Sequence, residues 1–166
     1  ATRGNLGGLA RTTTDAALLL DAAGRDYVII ETVGVGQDEV DIVRTADVCV
    51  VTLVPGTGDD VQALKAGIME IADVFVVNKA DREGADRLVS AIEATLSLHS
   101  YGAGEWRPAI VQTVATTGVG VGDLLKAVWA FRAHSAACDG SRRRARSEYR
   151  LREILGGLDD QLEGIS

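Results

Sequence analysis

The 166-residue sequence predicts an α/β protein built on a doubly wound, mostly parallel sheet. Three observations carry that prediction. Short continuous runs of β-prone residues alternate with segments of helical apolar spacing, the order that places helices on both faces of a parallel sheet. Hydrophobic residues make up 46% of the chain and aromatics only 4%, a profile that suits this class better than an all-β sandwich or a disordered chain. Polar, chemistry-bearing peptides follow the apolar runs, at the strand ends where open α/β sheets bind their ligands.

In chain order, Gly4, Gly7 and Gly8 form a loop that leads into 9–23, where Leu9, Ala16, Leu19, Leu20 and Ala23 recur at helical spacing before a stop at Gly24. Residues 27–30, Tyr-Val-Ile-Ile, are continuous rather than alternating and predict a strand covered on both faces. Glu31 then emerges at its carboxyl end, followed by Thr32-Val33-Gly34-Val35-Gly36-Gln37. Lacking Cβ atoms, Gly34 and Gly36 let backbone approach a phosphate closely or swing between two conformations. The stretch reads as a nucleotide-hydrolase switch; the rival reading is an ordinary strand ending in a charged residue and a flexible turn.

A short helix is expected over 39–45 and a second buried strand over 48–54, broken by Pro55-Gly56-Thr57-Gly58. Helical periodicity covers 61–71, and a third strand at 74–77 delivers Asn78-Lys79-Ala80-Asp81. A helix over 86–98, a fourth strand over 109–114 ending in Ala115-Thr116-Thr117-Gly118, and a helix over 121–131 close the pattern, which right-handed crossovers would wind into one sheet. This defines a domain at 1–134. The remaining 135–166 reads as a helical arm: Arg142, Arg143, Arg144, Arg146, Arg150 and Arg152 crowd together with Glu148, Glu153, Leu151, Ile154 and Leu155, giving a charged face and an apolar side that needs a partner surface.

A basic nucleic-acid patch is the rival reading of the arm, but base-stacking aromatics are nearly absent and Asp159, Asp160 and Glu163 follow at once. The net charge of −7 also argues against nucleic acid as a partner. Cys49 and Cys138 are too few and too isolated for a disulfide framework or a metal cluster. No apolar segment approaches the roughly 18 residues that span a bilayer, and no signal peptide is visible. The expected setting is the cytoplasm, with no membrane partner.

Base recognition falls to Asn78-Lys79-Ala80-Asp81. An Asp81 carboxylate offers two acceptors to the N1–H and N2 amino donors of guanine, a pattern that adenine does not present on that edge. Asn78 can bridge purine N7 and neighbouring loops, and the aliphatic stem of Lys79 can lie along base and ribose. The structural alternative is a strand end followed by an Asp near a helix cap. In Ala115-Thr116-Thr117-Gly118 a backbone N–H is placed to donate to guanine O6; alone, that peptide is only a turn.

Taken together, Asn5-Leu6-Gly7-Gly8-Leu9-Ala10-Arg11, Glu31-Thr32-Val33-Gly34-Val35-Gly36-Gln37 and Asn78-Lys79-Ala80-Asp81 resemble the MeaB/ArgK family of GTPases that accompany cobalamin-dependent methylmalonyl-CoA mutase. The match in order and spacing extends to about Phe131. The resemblance implies a P-loop NTPase fold, GTP/GDP and Mg²⁺ as ligands, and a chaperone-like role in loading or protecting the mutase cofactor. It assigns Glu31 to a place beside Mg²⁺ and Gly34 to the γ-phosphate; Gln37 would orient water. The peptide from Pro55 to Lys65 resembles the family's third switch, with Asp59, Gln62 and Lys65 at its polar positions; a capped, solvated helix start is the plain alternative. The arm is similar to a dimerisation extension, which implies a homodimer.

Two departures stand out. Val114 occupies a position where many relatives carry Ser. More consequentially, the phosphate cradle G-x-x-x-x-G-K-[S/T] requires Lys followed by Ser or Thr, whereas Lys65, Lys79 and Lys126, the three lysines of the sequence, are each followed by Ala. The sequence is therefore expected to be part of a longer enzyme, to lack the amino-terminal strand that carries this cradle, and to hydrolyse GTP negligibly by itself. Two further classes compete. A metallochaperone GTPase would call for clustered Cys and His, whereas His99, His134 and the cysteines are scattered. A non-hydrolysing scaffold would keep the fold and lose the cradle. An older family label invokes transport of basic amino acids driven by ATP; Asp81 argues for GTP instead.

Overall fold

The computed structural model describes residues 11–32, 45–56 and 68–138. Within them, α1 (Arg11–Ala22) is followed by β1 (Val50–Leu53), α2 (Ile68–Ile71), β2 (Val74–Asn78), α3 (Ala85–Leu96), β3 (Ala109–Thr113) and α4 (Val121–Ala137). The three strands form one parallel sheet in the order β1-β2-β3, which is the α/β class the sequence predicts.

The central strand is the most apolar, for the reason its sequence suggests. With neighbours on both edges and helices over both faces, β2 keeps Val74, Phe75 and Val77 at 0% exposure, so an unbroken apolar run is the stable choice. Strand geometry sends alternate residues to opposite faces. Phe75 and Val77 pack with Ala85, Leu88, Ile92 and Leu96 of α3, joined by Ile110; the spacing of those four helix residues lays one continuous stripe on the sheet. On the other face α4 contacts β2 and β3, with Phe131 buried and set edge-on against Trp106 at 5.3 Å between ring centroids.

The amino end of the sheet is closed by Asp73. Its Oδ2 accepts the Cys49 N–H at 2.9 Å and its carbonyl accepts Trp106 Nε1–H at 2.9 Å, so the packed Cys49 and the start of β2 are tied to the loop that precedes β3. Within that loop the Gly102 N–H and then His99 hold the Glu105 carboxyl below the usual glutamate range; His99 Nε2 lies 2.9 Å from Glu105 Oε1.

Several element boundaries move. Helix α1 ends as expected: Gly24 sits at φ +74° and the Arg25 N–H reaches back to the Leu20 carbonyl at 3.1 Å, a six-residue closure that satisfies a terminal carbonyl. Helix α4 continues through Ala137 rather than stopping at 131, because Arg-Ala-His-Ser-Ala-Ala holds no breaker even though the apolar rhythm has ended. The helices expected over 39–45 and 61–71 lie mostly outside the described residues, as does the arm after 138.

The strand expected at 27–30 is absent. Residues 27–32 form neither helix nor strand, and Ile29 is 91% exposed. A strand is stabilised by a hydrogen-bonded ladder and by cross-strand side chains, and no described strand offers this run a partner. Tyr27 instead meets the Trp129 ring of α4 edge-on at 6.2 Å. No helix of the described residues is long and apolar enough to cross a membrane.

Candidate functional site

Two loops meet at the carboxyl ends of β2 and β3. The first leaves β2 at Asn78 and turns at Lys79, whose φ of +58° makes it the one non-glycine residue with positive φ among the described residues. The Arg82 N–H donates to the Lys79 carbonyl at 3.0 Å, and α3 begins after Gly84 at φ +93°. Lys79 and Asp81 are therefore held on an exposed loop, ahead of the helix.

The second loop leaves β3 at Thr113. Val114 and Val119 form an isolated antiparallel bridge, and the Thr117 and Gly118 N–H groups both donate to the Val114 carbonyl at 3.0 Å. Ala115 and Thr116 are exposed at the tip of this tight turn. Gly120, at φ +77°, then starts α4 so close to β3 that a Cβ would lie 2.0 Å from the Gln112 carbonyl oxygen.

Side chains stitch the loops together. Asn78 and Thr113 are register partners at the strand ends. Asn78 Oδ1 accepts from Thr113 Oγ1–H at 3.1 Å and from the Ala115 N–H at 3.2 Å, while the Ala80 N–H donates to the Thr113 carbonyl at 3.0 Å. Because a backbone N–H only donates, it fixes the amide oxygen of Asn78 on the protein side, and the Nδ2 amino group is left as the donor available to a ligand. The Thr116 N–H, at the tip of the turn, has no partner among the described residues.

The structure thus brings Asn78, Lys79, Asp81, Ala115 and Thr116 to one edge of the sheet. Glu31 is exposed on irregular chain with no hydrogen bond or ion pair among the described residues, and no described contact joins it to the two loops. Gly34, Gln37, Asp59, Gln62 and Lys65 lie outside the described residues. Thr113 and Gly120 escaped the sequence reading: only the strand register shows that Thr113 stands opposite Asn78, although the glycines at 118 and 120 before an apolar helix hinted at a constrained entry.

A parallel sheet carrying Asn-Lys-Ala-Asp after one strand and an alanine turn after its neighbour places the chain in the P-loop NTPase class. The crystal structure of a LAO/AO transport system kinase matches with a TM-score of 0.71 and 28% identity over 90% of this chain and 48% of that one. The chain belongs to the family described as methylmalonyl Co-A mutase-associated GTPase MeaB, whose model matches residues 1–162. Relatives include a Pyrococcus horikoshii protein with a provisional GTPase name, 49% identical over 95% of this chain and 51% of its own length. The Escherichia coli GTPase ArgK is 36% identical over 78% of this chain and 40% of its own length, and the mitochondrial methylmalonic aciduria type A homolog of Mus musculus 37% over 74% and 30%. The chain spans about half the length of the most similar of these.

Proposed function

We propose that this protein binds and hydrolyses GTP and couples its nucleotide state to a cobalamin-dependent methylmalonyl-CoA mutase, acting as a chaperone of the mutase cofactor. The observation that carries the nucleotide half is the double hydrogen bond to Asn78 Oδ1, which sets two base-reading loops side by side with Asp81 exposed beside them. In this reading Asp81 accepts from guanine N1–H and N2–H, the Asn78 amino group donates to N7, the Lys79 stem covers the base, and the turn at Ala115 and Thr116 supplies a backbone donor to O6.

Glu31 would hold Mg²⁺, which needs only one or two protein carboxylates when phosphate oxygens and waters complete its shell; the ion would neutralise charge developing on the phosphates. Gly34 would approach the γ-phosphate, Gln37 would orient water, and Asp59, Gln62 and Lys65 would relay nucleotide state to the mutase. The arginine-rich arm would pair two copies in a cytoplasmic homodimer. The partner half of the proposal is supported by the family description and by the methylmalonic aciduria name of a relative.

The test is nucleotide competition on the full-length protein. GTP should outcompete ATP, and Asp81→Asn should weaken GTP about 100-fold, the loss expected for two charge-assisted hydrogen bonds. Xanthosine triphosphate, which carries an acceptor where guanine carries its amino group, should gain affinity in the variant. Equal binding of ATP and GTP, or an Asp81→Asn protein with unchanged preference, would refute the assignment.

A further inference from the structure

We infer that Thr113 is a positioning residue for purine N7 recognition, acting through Asn78. The inference rests on the guanine-nucleotide reading of this site and adds a residue that the loop sequences themselves do not reveal. Thr113 is buried, 3% exposed, at the last position of β3, so its side chain is not placed to touch a base at the loop surface. It holds the first loop at two points instead. Its hydroxyl donates to Asn78 Oδ1 at 3.1 Å and its carbonyl accepts the Ala80 N–H at 3.0 Å.

Between those two anchors lies Lys79 in its left-handed conformation, which a residue with a Cβ keeps only when its surroundings hold it there. The Thr113 hydroxyl also adds a second bond to the amide oxygen that the Ala115 N–H fixes on the protein side, so the Asn78 side chain is held at two points. With Oδ1 engaged by Thr113 and by Ala115, the amino group remains for the ligand, and an N–H donor suits N7, which is an acceptor in every purine. Removing the hydroxyl leaves Oδ1 with the 3.2 Å bond from Ala115 alone. The amide is then held at one point instead of two, and its amino group is aimed less firmly at N7.

Thr113→Val keeps the shape and burial of the side chain and removes the hydroxyl; Thr113→Ser keeps the hydroxyl; Thr113→Ala serves as a second hydroxyl-free variant if valine disturbs folding. Affinities of the full-length proteins for GTP and for 7-deaza-GTP, in which N7 is replaced by C–H, separate positioning from structure. The wild type should prefer GTP over the deaza analogue by about 10-fold, one hydrogen bond. Thr113→Val should bind GTP about 10-fold more weakly and show a preference reduced to within about twofold, while Thr113→Ser should restore both affinity and preference. A variant that weakens GTP and 7-deaza-GTP equally, or that binds both as the wild type does, overturns the positioning role and leaves the guanine reading standing. A wild type that binds no guanine nucleotide overturns both.

Discussion

At Gly120 the absence of a side chain is a steric requirement. The Gln112 carbonyl oxygen would lie 2.0 Å from any Cβ there, and φ is +77°, so Gly120→Ala must displace either the α4 entry or the end of β3. We expect that variant to lose about 2–4 kcal/mol in denaturant unfolding, combining overpacking with a left-handed alanine. Gly118 is the control: its φ is +79° but nothing lies within 4 Å of a Cβ, and Gly118→Ala should cost only about 1 kcal/mol. A similar loss at both positions would show that conformation, and not the close approach, decides. The residues of the two loops proposed to read a base were legible from sequence because Asn, Lys and Asp carry distinctive donors and acceptors. Thr113 was not, since its proposed role arises from standing opposite Asn78 on the neighbouring strand, 35 positions away in the chain.

Among elements, α3 lays its buried stripe on β2. Ile92 is 0% exposed and sits in the cluster with Phe75 and Val77. Ile92→Ala should cost about 2–5 kcal/mol by thermal or chemical denaturation, and a loss under 1 kcal/mol would mean that the helix does not depend on this sheet face. The elements from β2 to β3 were legible because their apolar spacing coincides with what they bury, whereas α4 was legible only to 131 and buries Phe131 alone. The run at 27–30 was misread for a physical reason. Continuous Val and Ile report a wish for burial, whereas strand formation needs a partner ladder, which sequence does not contain. Leu125 and Trp129 of α4 are likewise apolar yet 53% and 42% exposed, with Arg132 stacked over Trp129 at 4.8 Å.

For the whole molecule, base recognition and partner coupling are separate demands. The described sheet carries the two loops proposed to read the base, while the peptides expected to sense phosphate and to relay its state, around Gly34 and from 59 to 65, belong to other stretches of the chain. We expect the full-length protein to be retained by immobilised cobalamin-dependent methylmalonyl-CoA mutase, with retention that differs between GTP- and GDP-loaded forms. No retention with any nucleotide would count against the mutase as partner and would leave the base-site predictions untouched.

By itself the sequence determined the α/β class and the family, and it singled out the two loop peptides proposed to read a base, because apolar periodicity and side-chain chemistry are local properties that a chain carries whether folded or not. Tertiary structure alone decided that 27–30 has no strand partner among the described residues, that Asn78 is pinned by Thr113 and Ala115, and that Gly120 admits no side chain. Each of these depends on distances that come into being only when the strands align and the entry to α4 packs against them.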